Sequence, residues 1–378
     1  MAETVFRNAR VILPDEVVEG SVQVIDGKIA AIHAGAGATG EDFEGDYLLP
    51  GLVELHTDQF ENHYRPRPGV YWNTLGALQA HDVQIAGSGI TTVFDAVRIG
   101  ADPEHPGMAE HVREMVQAIG IAVADGRLRA DHLVHLRCEL PTPDVVDEFG
   151  RLLDLPLVKL ASVMDHTPGQ RQYQTMDGYV VYYKSKLNLS DAQMTEFIAE
   201  RHADQARYAA VNRRAVLDAG HAAGLAFASH DDATIEQVEE SIRDGVDIAE
   251  FPTTMVAAKA SHDAGLAVLM GAPNVVRGGS HAGNIAAADL ARAGCLDVLS
   301  SDYVPGALLL AAFMLPDMAE EISLPQAIAK VTSRPAKAAH LHDRGEIVAG
   351  KRADLVRVRV HSGMPVVKGV WREGRRVS

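Results

Sequence analysis

The chain is poor in cysteine, in long apolar runs and in positive charge, and each shortage removes a class of protein. Two cysteines among 378 residues, Cys138 and Cys295, make no disulfide framework and suit a reducing cytoplasm. No stretch approaches the roughly 18–20 consecutive apolar residues that a transmembrane helix needs, so no membrane is expected as a partner. The start, Met1-Ala2-Glu3-Thr4, is acidic and runs straight into a strand-like segment, without the pattern of a signal peptide, and a cytoplasmic location is expected. A net charge of −16 argues against nucleic acid as a partner, because binding phosphates along a backbone requires a basic surface. No internal repeat or low-complexity segment stands out. The sequence leaves a homo-oligomer open.

What is present is ordinary for a globular protein, with 47% hydrophobic and 23% charged residues, and the length suits one barrel-sized domain plus a smaller one. Residues 1–49 alternate in strand fashion, with Asp26-Gly27 between two apolar runs marking a hairpin. Short Gly-punctuated strands return near the C-terminus, at 345–347, 353–360 and 365–371. The expectation is a composite β-sandwich from 1–49 and 341–378. Between these ends, in 50–340, apolar strands alternate with helical stretches such as 191–217 and 234–243. Eight candidate strands, 51–56, 90–95, 132–139, 157–164, 225–230, 247–251, 267–271 and 296–301, predict an α/β fold, a distorted (β/α)8 TIM barrel. Its active site would lie at the C-terminal strand ends.

Those ends carry the chemistry. Strand one closes on His56-Thr57-Asp58, and a side-chain period of two points both ligand types the same way. Strand three puts His135, Arg137 and Glu139 on one face. Strand four ends at Asp165-His166, strand five at His230-Asp231-Asp232 and strand eight at Asp302. Several carboxylates at one barrel mouth repel one another unless a cation compensates them. His56, Asp58, Glu139, His230 and Asp302 are therefore the candidate metal ligands, with His166 added as a sixth and Glu139 suited to bridge two metals. Lys159 could bridge as a carbamylated lysine but ranks below Glu139, and His135 is expected deeper in the barrel. Asp231 and Asp232 are expected as N-caps of the helix opening at Thr234.

A second set is cationic. Arg65 and Arg67, Arg171, Lys184 and Lys186, and Arg277 with His281 follow strands one, four and seven in expected βα loops. Arginine offers a planar fork for phosphate oxygens, and Gly278-Gly279 leaves backbone N–H groups open to an anion. Four such clusters in an acidic protein favour an anionic, phosphorylated small molecule as ligand.

Pro50-Gly51-Leu52-Val53-Glu54-Leu55-His56, Gly89-Ile90-Thr91-Thr92-Val93 and residues 345–356 together resemble the amidohydrolase superfamily. That resemblance implies the barrel with its β-sandwich, and one or two divalent metal ions, zinc first, with manganese, iron or magnesium as alternatives. Two departures stand out. Asp58 stands where the family usually has a second histidine, and Ala249-Glu250-Phe251 occupies the place of the usual strand-six histidine. Both point away from ordinary amide hydrolysis. The runs 65–70, 87–96, 164–173, 229–234 and 301–303 resemble a narrower branch, the diphosphatases of the carbon–phosphorus lyase pathway. This implies hydrolysis of α-D-ribose 1-methylphosphonate 5-triphosphate, a phosphorylated sugar, to the 5-phosphate and pyrophosphate. Metal-activated water would attack the α-phosphorus, with Asp302 as the catalytic base. The alternatives are a C–N hydrolase (deaminase or deacetylase) of the same superfamily and a non-catalytic assembly subunit.

Overall fold

The computed structural model describes residues 3–35, 37, 39–101, 108–171, 176–280 and 283–378. Two compact units divide the chain. Met1–Asp95, Ile119–Leu133 and Met270–Ser378 form the first, and Ala96–Ala118 with Val134–Leu269 form the second.

The first unit contains a sheet assembled from both ends of the chain. Its order is Arg375–Arg376, Met364–Arg372, Leu355–His361, Tyr47–Pro50, Glu3–Ile12, Val17–Ile25 and Lys28–Ala34, with Glu41–Asp42 pairing off Glu3–Ile12. Pairing is antiparallel except where Glu3–Ile12 meets Tyr47–Pro50 and Glu41–Asp42. The expected hairpin is present, and Asp26 and Gly27 take φ of +49° and +79°, the left-handed pair a type I′ turn demands. Phe6 packs its ring 4.9 Å from Trp371 and 5.3 Å from Phe43, so the first strand and the C-terminal strand Met364–Arg372 share one apolar core. At its rim Asp46 accepts from Arg357 Nε and Arg359 Nε, both at 2.6 Å. Although burial opposes it, this double pairing holds the Asp46 carboxyl below its usual range.

The second sheet runs in sequence order through Leu52–Thr57, Ile90–Ile99, Asp131–Glu139, Val158–Met164, Ala226–His230, Ile248–Glu250, Ala267–Gly271 and Val298–Ser300. These eight strands coincide with the eight expected, and the second continues to Ile99. A parallel bridge between Thr57 and Asp302 returns the end of the eighth strand to the first. Helices alternate with the strands, and the fold is a (β/α)8 barrel accompanied by a small β domain from the two termini. Among the described residues no helix is long and apolar enough to cross a membrane.

Two local expectations change. The stretch 191–217 is not one α-helix. Asp191–Asp204 gives way to a π turn, Gln205–Ala209, before Ala210–Ala222. The wider turn accompanies a hydrogen bond from Gln205 Nε2 to Asp165 Oδ2 at 2.7 Å, beside a candidate ligand. Asp231 and Asp232 do not cap Ile235–Arg243. Thr234 does so itself, in a capping box with Gln237. The two aspartates lie too early in the turn, and Asp232 is drawn instead to Arg171 and to Ser241 Oγ at 3.0 Å.

Candidate active site

In the first unit the candidate ligands sit on a dense backbone network. Leu52–Thr57 is buried throughout, so each polar group on it needs an internal partner. Glu54 Oε1 accepts from His56 N–H at 2.7 Å, and Oε2 from Ser301 N–H at 2.5 Å. Burial pushes the Glu54 carboxyl up to about 7, against these hydrogen bonds. The His56 carbonyl accepts from Ser300 Oγ at 2.7 Å and from Asp302 N–H at 3.1 Å, while Thr57 Oγ1 donates to the Asp302 carbonyl at 2.8 Å. His56 and Asp302 are thus brought together through their backbones, 246 positions apart in numbering. Asp302 has φ of +54°, a conformation Asp tolerates better than most residues. Asp58 precedes the helix Gln59–Tyr64 but makes no side-chain cap, and its Oδ1 is buried without a hydrogen-bond partner.

In the second unit Glu139, His166, His230, Asp231 and Glu250 converge. Glu139 Oε2 lies 2.6 Å from His166 Nδ1 and 3.2 Å from Arg98 Nη2, and Oε1 accepts from His166 N–H at 3.0 Å. Burial would raise its pKa, but the adjoining His166 and the Arg98 guanidinium hold the carboxyl far below its usual range. His230 Nδ1 lies 2.9 Å from Glu250 Oε2. Nδ1 of each imidazole is held by a carboxylate, and Nε2 of each lies near Asp231. Asp231 Oδ2 lies 3.4 Å from His230 Nε2 and 3.8 Å from His166 Nε2. That oxygen is buried without a hydrogen-bond partner, in a residue at φ of +57°. One ligand atom from each of His166, His230 and Asp231 lies within 4.8 Å of the others.

These groups fit a divalent cation. A buried carboxylate oxygen without a partner is costly, and Asp58 Oδ1 and Asp231 Oδ2 are both of that kind. Imidazoles oriented by carboxylates are the usual support for metal-ligating nitrogens. Lys159 is exposed on its strand, facing away from this group, and His135 is fully buried, inside the barrel.

The cations are less uniform. Arg171 is buried and committed to Asp232 and Glu240, with a 3.4 Å hydrogen bond to the His230 carbonyl, so it buttresses the end of strand five. Lys184 and Lys186 lie on the helix Met176–Leu187 rather than in the expected loop, and Lys184 pairs with Asp191. Arg65 is half-buried and Arg67 exposed, in the loop closed by Val70 N–H donating to the Arg67 carbonyl at 3.0 Å. Arg277 is exposed at the end of Ala272–Arg277, which Gly278 closes at φ of +79°. The Lys186 side chain and His281 fall outside the described residues.

Sequence reasoning set Asp231 aside and did not single out Arg98, or Glu54 and Glu250 as orienting groups. The position of Glu250, where the family usually places a histidine, was the available signal for the last. A further cluster also lay outside it. In the first unit Asp95 Oδ1 lies 2.7 Å from His81 Nε2, Asp95 Oδ2 lies 2.7 Å from His132 Nδ1, and Asp82 Oδ1 lies 3.4 Å from His132 Nε2. Burial works against charge on His132, yet Asp95 and Asp82 push it up to about 9, and Asp95 is held down to about 2.

Comparison with known proteins agrees with this picture. Residues 187–377 match the model of the amidohydrolase family. The chain is 46% identical over 376 residues to the α-D-ribose 1-methylphosphonate 5-triphosphate diphosphatase of Escherichia coli (strain K12), covering 99% of this chain and 100% of that one. Among solved structures it resembles the N-acetyl-D-glucosamine-6-phosphate deacetylase of Mycobacterium smegmatis, with a TM-score of 0.64, 16% identity and full coverage of both chains. It also resembles the 5-methylcytosine deaminase of Klebsiella pneumoniae, with a TM-score of 0.65, 15% identity and coverage of 99% and 98%. The two structural likenesses speak for the fold, and the long sequence match for the lineage within it. This chain belongs to the amidohydrolase family.

Proposed function

We propose that this protein is a metal-dependent phosphoanhydride hydrolase that cleaves α-D-ribose 1-methylphosphonate 5-triphosphate to the 5-phosphate and pyrophosphate, in phosphonate catabolism. The observation that carries this reading is the 46% identity along essentially the whole of both chains to an enzyme named for that substrate. The departures at Asp58 and Glu250 agree with it, since both exchange a neutral imidazole for a carboxylate.

His56, Asp58, Glu139, His166, His230 and Asp302 are the proposed ligands, and the orphaned oxygen of Asp231 adds a seventh candidate. A divalent metal held there, zinc first among the candidates, would neutralise charge on phosphoryl oxygens and lower the pKa of a water. The chain's own residues supply the rest. Asp302 takes the proton from the attacking water, held in place by the His56 and Thr57 contacts to its backbone. Glu139 and Glu250 fix the tautomers of His166 and His230. Arg65, Arg67 and Arg277 are free to meet phosphates, whereas Arg171 holds the end of strand five through Asp232.

The test is a product screen with metal restored. Pyrophosphate released from the ribosyl triphosphate supports the reading, whereas ammonia or carboxylate from amide and amidine substrates, without pyrophosphate, replaces it with a C–N hydrolase. Purified protein with no metal by elemental analysis, and unchanged ligand affinity in Asp302→Ala, would leave a non-catalytic role.

A further inference from the structure

We infer that Arg137, from inside the barrel, binds a phosphoryl oxyanion of the substrate, as a second anion site below the metal-ligand layer. This deepens the function proposed above and names the part of the substrate that the residue contacts.

Strand three shows which way the side chain faces. His135 and Glu250 offer ligand atoms within 4.8 Å of each other, although their strands, third and sixth, are not neighbours in the sheet. They can meet only across the barrel interior. From His135 to Glu139 the strand pairs regularly with strand four, residue 135 with 160 through 139 with 164, so Arg137 shares the inward parity of His135 and Glu139. It sits one inward position below Glu139, whose carboxylate orients His166.

Two observations at that level point to a ligand. Among the described residues no carboxylate lies within ion-pair distance of Arg137, and its Nε is buried without a hydrogen-bond partner. Its in-register neighbour on strand four is Ser162, which is 0% exposed with an Oγ that also lacks a partner. A guanidinium with an unpartnered Nε and a hydroxyl with an unpartnered Oγ, on in-register inward positions, form a donor pair with no acceptor among the described residues. Folding alone gives no reason to keep them, because a part-buried cation without a counter-charge destabilises the native state. An oxyanion would satisfy both, since the guanidinium fork matches two phosphoryl oxygens and the hydroxyl donates to a third. The net charge of −16 makes such an internal cation more necessary for an anionic substrate.

Arg137→Met and Arg137→Lys test this with three readouts on the full-length protein. Inorganic phosphate and pyrophosphate should raise the Tm of the wild type. In Arg137→Met that rise should vanish, with the KM for the ribosyl triphosphate up by roughly 10- to 100-fold, metal content unchanged and the ligand-free Tm equal or higher. Arg137→Lys should recover part of the affinity, because the charge returns without the fork. A ligand-free Tm that falls in Arg137→Met, with phosphate binding intact, would overturn the inference in favour of a structural role. The phosphate arm stands apart from the reaction. Loss of phosphate-dependent stabilisation in a protein that releases no pyrophosphate sustains the anion site and sinks the proposed function. Pyrophosphate release at wild-type KM in Arg137→Met does the reverse.

Discussion

The buried His132 offers the sharpest quantitative test of the electrostatics. It is 1% exposed and lies between Asp95 at 2.7 Å and Asp82 at 3.4 Å. Asp82 is itself fixed by the backbone N–H groups of Arg129 and Ala130, at 2.8 and 3.0 Å, and by the Arg129 guanidinium at 3.0 Å. The His132 pKa rises from 6.5 to about 9, and at about 1.4 kcal/mol per unit this amounts to about 3 kcal/mol of folding stability. The sign follows from linkage. A group whose folded pKa is raised stabilises fully below its unfolded value, and the contribution is lost as pH climbs through the folded value. The wild type should therefore exceed His132→Gln, which keeps a polar side chain but does not titrate, by a constant margin below pH 6.5. That margin should shrink by about 3 kcal/mol between pH 6 and pH 9. Urea unfolding of chelator-treated protein, followed by far-UV circular dichroism at half-unit pH steps, measures it, and subtracting the variant cancels the titrating groups that do not couple to His132. A margin that stays flat across the range would refute the assignment of a buried imidazolium. Asp95→Asn should cost about 3–5 kcal/mol at pH 7, the typical penalty of leaving one partner of a buried pair uncompensated.

Other outcomes follow from the site. Asp302→Asn should lower kcat by about 10²- to 10⁴-fold, the usual contribution of a general base, with circular dichroism unchanged because Asn adopts the left-handed backbone of position 302 as readily as Asp; full activity would remove Asp302 from the base role. Arg65→Gln or Arg67→Gln should raise KM for the triphosphate with kcat little altered, and an unchanged KM would exclude that loop from phosphate binding. Dialysis against a chelator should abolish turnover and lower the Tm, and a divalent ion should restore both; no response in either would rule out the metal. Gly100→Ala should destabilise by about 1–3 kcal/mol and impair turnover, since Gly100 has φ of +95° and an added Cβ would stand 2.5 Å from Thr142 Oγ1 and 3.0 Å from the Glu139 carbonyl; wild-type kcat in that variant would show that the Glu139 backbone can move at no cost.

Much of the fold was legible because its signals are local. Apolar runs of five to eight residues bounded by glycine or a ligand-type residue mark buried parallel strands, and Asp26-Gly27 marks its turn without outside help. The candidate ligands were legible for the same reason, since each closes a strand. What was not legible depends on partners distant in sequence. Nothing local to Asp231 says that Thr234 will cap the helix and leave the aspartate facing two imidazoles. Nothing near Arg171 says that Asp232 and Glu240 will absorb its charge. The cluster of His81, Asp95 and His132 joins a helix to two strands across 51 residues of numbering, beyond the reach of any periodicity.

Where a buried charge finds its partner adds to what residue type says about structure and function. Where the fold needs an ion pair it completes one. Asp46 has Arg357 and Arg359, Asp232 has Arg171, and His132 has Asp82 and Asp95. These groups are as polar as the candidate ligands, yet each finds its counter-charge within the chain. Asp58 Oδ1, Asp231 Oδ2, Arg137 Nε and Ser162 Oγ find no hydrogen-bond partner, in a chain able to neutralise buried charge elsewhere. Other buried polar atoms, such as Glu148 Oε2 and Asp354 Oδ2, also lack a hydrogen-bond partner, but these four lie at or just below the strand ends that carry the candidate ligands, where a bound ion or substrate can compensate them. The two signs then divide by chemistry. Orphaned carboxylate oxygens require a cation, and an orphaned guanidinium with a hydroxyl requires an anion. A metal-dependent enzyme acting on a polyphosphate is a reading that uses both, whereas a C–N hydrolase acting on a neutral substrate would leave Arg137 unexplained.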